Sequence, residues 1–161
     1  MSTLNIILQN QLEKIKPSGE EFFLIEKKAK EIVENLKKAI KQKRIKAEVF
    51  IGGSLAKKTI LKKEKYDVDI FVRFDEKYKD NEISELLNGI LKKEKSIRIH
   101  GSRDYFQLQK IPDRILCLSK SGSIIKPDLK IKQGKIVFEI IPTIKVSNAK
   151  KARNVTDLSY F

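Results

Sequence analysis

One cysteine and one histidine stand among 161 residues. The lone Cys117 excludes an internal disulfide framework and a cysteine-rich zinc site, and the lone His100 excludes a multi-histidine metal centre. A metal here would have to be held by carboxylates, which favours a hard ion such as Mg²⁺. Apolar runs are only a few residues long, too short to span a bilayer. Residues 1–8 lack the basic start and extended apolar stretch of a secretion signal. The expectation is therefore a cytoplasmic chain without membrane contact. There are no internal repeats and no low-complexity linker, so residues 1–161 read as one domain. Hydrophobic residues make up 40%, enough to bury a core beside a charged fraction of 35%.

Charge is plentiful and of one dominant sign. Lys and Arg number 35 against 21 Asp and Glu, a formal net of +14. A field of that sign draws polyanions, with nucleic acid the first candidate and nucleotides the second. Many of these lysines also serve simply to solvate helix faces. Charge by itself implies neither sequence readout nor catalysis.

Apolar spacing organises the chain. Leu4, Ile7, Leu8, Leu12 and Ile15 follow a helical period before Pro17 interrupts. Ser18 followed by Glu21 is a capping box that opens a second helix, with Ile25, Ala29, Ile32, Val33, Leu36 and Ile40 on one face. Residues 47–51 and 67–74 read as strands, and residues 82–93 as a third helix. Between the two strands, Gly52-Gly53-Ser54 ends the first and introduces a short lysine-rich helical turn. Residues 97–99 and 104–109 look extended around a turn at Gly101-Ser102. Residues 114–118 and 124–131 are expected as strands around a hairpin tip at residues 120–123. A last strand covers residues 135–141 and stops at Pro142. Helices and strands mixed in this order suggest a single α/β or α+β sheet domain.

Three carboxylates carry the chemistry. Asp67 and Asp69 lie two apart in a strand and share a face, while Val68, Ile70 and Val72 point to the core. Two adjacent carboxylates repel unless a cation sits between them. Alone, such a pair most often marks a solvated strand edge. Glu139 changes the weighting, because it interrupts the apolar run Ile136-Val137-Phe138-Glu139-Ile140-Ile141. A carboxylate there is costly unless exposed or paired. If its strand lies beside that of Asp67 and Asp69, the three would cradle two Mg²⁺ ions. Gly52-Gly53-Ser54 supplies the complement. Two glycines let a phosphate approach the backbone, the Ser54 hydroxyl can donate to it, and Lys57, Lys58, Lys62 and Lys63 add positive charge nearby.

The combination resembles the nucleotidyltransferase superfamily that includes DNA polymerase beta, and more closely the archaeal-type (class I) CCA-adding enzymes. The resemblance rests on Lys16-Pro17-Ser18, on Gly53-Ser54-Leu55-Ala56-Lys57-Lys58-Thr59, and on Asp67-Val68-Asp69-Ile70-Phe71. It extends to Phe138-Glu139-Ile140-Ile141-Pro142 and Val155-Thr156-Asp157-Leu158, covering nearly the whole chain outside residues 103–132. It implies an α+β palm with a mixed or antiparallel sheet flanked by helices. It also implies metal binding and catalysis by Asp67, Asp69 and Glu139, and triphosphate binding by Gly53, Ser54, Lys57 and Thr59. The implied reaction passes a nucleoside monophosphate from ATP or CTP to a 3′-hydroxyl, that of a tRNA end first of all, with two Mg²⁺ ions. Glu139 stands where Asp is frequent in that family, Lys57 where Arg is common, and Lys58 where a small residue is usual. Family members continue into further domains, so a C-terminal domain or partner chain is expected beyond Phe161. Other acceptors on the same fold (a protein, a small molecule, a nucleotide) and a non-catalytic RNA-binding subunit are the alternatives.

His100 and Arg103 read either as phosphate or acceptor contacts or as a polar turn. Tyr105 and Phe106 read as core before base-stacking groups. Residues 126–135 read as a basic hairpin for RNA backbone or merely a soluble one.

Overall fold

The structure is a computed structural model, and residues 3–92, 94–108 and 136–160 are described. The expected strands at 114–118 and 124–131, Cys117 and the basic segment 126–135 lie outside the described residues.

Helix α1 covers Thr3–Ile15 and α2 covers Gly19–Gln42. The capping box forms as the sequence suggests. Ser18 Oγ accepts from the Glu21 N–H and the Glu21 carboxylate accepts from the Ser18 N–H, each at 3.1 Å. That satisfies two donors the helix start would otherwise leave unpaired. The buried face of α2 is Ile25, Ala29, Val33, Leu36 and Ile40. On α1, by contrast, Leu4, Ile7, Leu8, Leu12 and Ile15 all remain exposed.

Strand β1 (Ala47–Ile51) leads into the short helix α3 (Gly53–Ala56), then β2 (Tyr66–Phe74) and α4 (Asp80–Leu91). Strands β3 (Ser96–Ile99), β4 (Tyr105–Leu108) and β5 (Ile136–Ile144) follow, and a 3₁₀ turn at Val155–Tyr160 comes after them. The helix after Gly52 ends before the lysines, so Lys57 and Lys58 lie past it rather than within it. Lys58 takes the left-handed conformation, φ 56°, in which glycine, lacking a Cβ, is most at ease.

The five strands form one mixed sheet in the order β1-β2-β5-β4-β3. Only β2 and β5 run parallel, and the other neighbours are antiparallel. The α+β class and the helix-flanked mixed sheet are thus as expected. Strand β5 runs on through Pro142 to Ile144 instead of stopping. Its pairing with β4 ends at Ile140, so among the described residues Pro142 has a strand neighbour, Val72, on one side only. A residue without an N–H is tolerated at such a local edge.

Alternation divides the sheet. Tyr66, Val68, Ile70, Val72 and Phe74 of β2, with Phe106, Phe138 and Ile140, are buried in one cluster with the apolar faces of α2 and α4. Each fully buried side chain of this size contributes about 1.5–3 kcal/mol. The other face carries Asp67, Asp69, Phe71 and Arg73 on β2 and Glu139 on β5. Burying one face therefore commits the other to display its polar residues.

Candidate active site

One row of residues crosses the second face. The Gly52 N–H donates to the Asp69 carbonyl oxygen at 2.9 Å. Asp69 is in register with Glu139, and Glu139 with Gln107. Asp67, two residues before Asp69, is opposite Val137 on the same face. The Asp67–Asp69 strand and the Glu139 strand are therefore immediate neighbours, and the three carboxylates share a face.

The glycines are demanded by this packing. A Cβ on Gly52 would clash with the edge of the Phe71 ring, within 2.5 Å of two of its carbons. Phe71 in turn stacks on Phe50, with ring centroids 5.4 Å apart. Gly53 has φ +58°, and a Cβ there would overlap the Asp69 carboxylate oxygen Oδ2. The turn thus lies directly against the carboxylate row, a position only glycine can take without strain. Ser54 follows in α3, and its carbonyl accepts from the Thr59 N–H at 2.9 Å. Lys57 and Thr59 are exposed beyond the helix. The structure thus brings Asp67, Asp69, Glu139, Gly53 and Ser54 to one neighbourhood, and sets Lys57 and Thr59 at its exposed edge.

Electrostatics marks the same place. Burial raises the Asp69 carboxyl above the ordinary carboxylate range, and the negative charges of Glu139 and Asp67 raise it further. Glu139 is half-buried, and its Oε1 accepts from Gln107 Nε2 at 2.8 Å. The donor set is all carboxylate oxygen, which suits a hard divalent cation. Among the described residues, no three His, Cys, Asp or Glu side chains are yet gathered around one point in ligating geometry. Face and register fit an ion; the side chains would have to close on it, as repelling carboxylates do when a cation arrives.

Arg103 belongs elsewhere. Its side chain is 2% exposed and pairs with Asp157, itself 0% exposed, and with Asp80. It lies in the turn between β3 and β4, as one of the two readings has it, but its side chain is a buried structural cation and not free for a phosphate. Asp157 also accepts from the backbone N–H groups of Ile144, Arg153 and Asn154. Burial alone would raise the Asp157 carboxyl, but the Arg103 and backbone hydrogen bonds outweigh it and hold the carboxyl below its usual range. His100 Nδ1 lies 3.0 Å from Asp104, which also binds Arg98. Phe106 is core, as expected. Sequence reasoning missed Gln107 and the Arg103–Asp157 pair. The only signal for Gln107 was a polar residue in a short extended stretch. For Arg103 there was none, because its partner is 54 positions away.

Fold and face together define a nucleotidyl-transfer palm. The chain belongs to the nucleotidyltransferase domain family, whose sequence profile matches residues 33–115. It is 38% identical over 116 residues to the CCA-adding enzyme of Nanoarchaeum equitans, covering 71% of this chain and 23% of that one. With the CCA-adding enzyme of Methanocaldococcus jannaschii it shares 36% identity over 85 residues, 52% of this chain and 19% of that one. The chain thus spans about a fifth to a quarter of the length of these relatives. Among solved structures, Cid1 poly(U) polymerase with MgATP aligns over 92% of this chain and 39% of its own, with a TM-score of 0.57 and 18% identity. The GLD-2/RNP-8 complex aligns over 83% of this chain and 36% of its own, with a TM-score of 0.53 and 12% identity. These likenesses identify the fold as that of polymerase-beta-like nucleotidyltransferases. Among the described residues no helix is long and apolar enough to cross a membrane.

Proposed function

We propose that this domain transfers a nucleoside monophosphate from ATP or CTP to the 3′-hydroxyl of an RNA, a tRNA end in the first place. The observation that carries the reading is the Asp69–Glu139 register on one face, with Gly53 packed against the Asp69 carboxylate. The similarity to CCA-adding enzymes supports the RNA acceptor.

In this reading Asp67, Asp69 and Glu139 hold two Mg²⁺ ions. Bound there, the ions would supply Lewis-acid stabilisation of the phosphates and a lower pKa for the attacking hydroxyl. Gly53 gives the triphosphate close access to the backbone, and the Ser54 hydroxyl donates to a phosphate oxygen. Lys57 and Thr59 flank the same mouth and add a charge and a hydroxyl. The acceptor hydroxyl gives up its proton to water, its oxygen forms a bond to the α-phosphorus as the bond from that phosphorus to the α–β bridging oxygen breaks, and pyrophosphate leaves. Positioning and electrostatics supply most of the rate in such transfers. Because the chain spans only part of its relatives, a further domain or partner chain is proposed to grip the acceptor.

The test is incubation with labelled ATP or CTP, Mg²⁺ and tRNA lacking its 3′ end, read on a primer-extension gel. The domain should bind triphosphate in a Mg²⁺-dependent way, and Ser54→Ala should cost roughly 1.5–3 kcal/mol of that binding. Addition to tRNA should be slow for these residues alone and rise when the remainder is supplied in cis or in trans. Triphosphate affinity indifferent to both Mg²⁺ and Ser54→Ala would overturn the assignment.

A further inference from the structure

We infer that Gln107 is a positioning residue that holds Glu139 in place for the cation. The inference rests on the proposed reading of the carboxylate row as a metal site. Glu139 sits between two register partners, Asp69 on β2 and Gln107 on β4. One side presents a like charge; the other presents an amide whose Nε2 donates to Oε1 at 2.8 Å. An ionised carboxylate only accepts, so the amide must turn its NH₂ toward it. That bond fixes one oxygen of a side chain with a longer reach than Asp and leaves Oε2 for a second partner.

The identity of the donor matters as much as the bond. The chain carries 35 Lys and Arg, yet the residue fixing Glu139 from β4 is a neutral amide. A lysine or arginine there would orient Glu139 equally well, but it would neutralise the carboxylate and repel a divalent cation. An amide orients it and leaves its negative charge available. Hydrogen-bonding partners of this kind commonly govern metal affinity by about 10–100-fold.

The experiment uses the 161-residue chain and Mn²⁺ as probe, with bound ion read from loss of the free Mn²⁺ paramagnetic resonance signal. Far-UV circular dichroism and thermal midpoint are recorded on each variant. Gln107→Leu removes the donor and should weaken Mn²⁺ binding about 10–100-fold with the thermal midpoint nearly unchanged. Gln107→Lys keeps a donor and the fold, and should weaken Mn²⁺ at least as much. The added charge repels the ion whatever Gln107 does, so Gln107→Lys tests only whether the donor must be neutral, and Gln107→Leu tests the positioning role. Should Gln107→Leu fail to fold, Gln107→Met, which keeps the side-chain length and removes the donor without adding charge, carries the test in its place. Asp69→Asn separates the two levels of the argument. If Asp69→Asn abolishes Mn²⁺ binding while the folded neutral variant, Gln107→Leu or Gln107→Met, binds as tightly as wild type, the role of Gln107 is overturned and the site stands. If Asp69→Asn itself binds Mn²⁺ like wild type, the site reading falls and the inference falls with it.

Discussion

The two ends of strand β5 hold carboxylates in opposite circumstances. Toward its start, Glu139 faces Asp69 across the parallel pairing, with Asp67 beside them. At its far end, the Ile144 N–H donates to Asp157, which also pairs with buried Arg103. The Asp69 carboxyl is pushed up by burial and like charge; the Asp157 carboxyl is held down by hydrogen bonds and a guanidinium that outweigh its burial. Where the fold provides every partner, the carboxylate ties elements together. Where the fold assembles like charges with no cation paired to them among the described residues, a ligand can supply the balance.

The largest effect that would test this contrast is at the compensated end. Asp157→Asn leaves Arg103 buried without its main partner and should destabilise the domain by about 3–5 kcal/mol, measured by urea unfolding. A loss below about 1 kcal/mol would mean that Asp80 suffices for Arg103.

Next comes linkage at the uncompensated end. Mg²⁺ at a hundred times its dissociation constant should stabilise the wild type by about 2.7 kcal/mol, seen as a rise in Tm. Asp69→Asn should erase that rise. An equal rise in the variant would place the cation elsewhere.

Acid should separate the ends by sign. A carboxyl held below its unfolded value of about 3.9 adds stability above that pH and loses it as pH falls through the lowered folded value. Asp157 should therefore contribute a loss of stability below about pH 4 that the Asp157→Asn protein does not share. Asp69, raised in the fold, contributes with the opposite sign: its cost appears as pH rises through the unfolded value toward the folded one. Urea unfolding at stepped pH without metal reads both.

The smallest effect is the most diagnostic. Without divalent ions, Asp69→Asn should stabilise the fold, by about 0.2–1 kcal/mol, since like charges in direct register are relieved. A matching gain from Asp157→Asn would erase the distinction between the two ends.

Much of this was legible in the chain because it depends on neighbours in sequence. The Ser18–Glu21 capping box, the alternation that sends Asp67 and Asp69 to one face and Val68 and Ile70 to the other, and the odd carboxylate in an apolar strand are local patterns. Strand and helix periods follow from which side chains must leave water. Pairing across the sheet does not. Glu139 joins Asp69 only because β5 inserts between β2 and β4, next to a strand that precedes it by some seventy positions. Gln107 reaches Glu139 for the same reason, and Arg103 meets Asp157 only after β4 and β5 are in place.

The sequence by itself therefore determined the elements, their apolar faces and the residue types able to hold a cation and a phosphate, since periodicity and chemistry are properties of short segments. The tertiary structure alone decided which carboxylates share a register and which is neutralised by a buried guanidinium. It also decided why position 53 must be glycine, its backbone lying against a side chain sixteen residues away. Those outcomes depend on distances between segments, which local pattern does not encode.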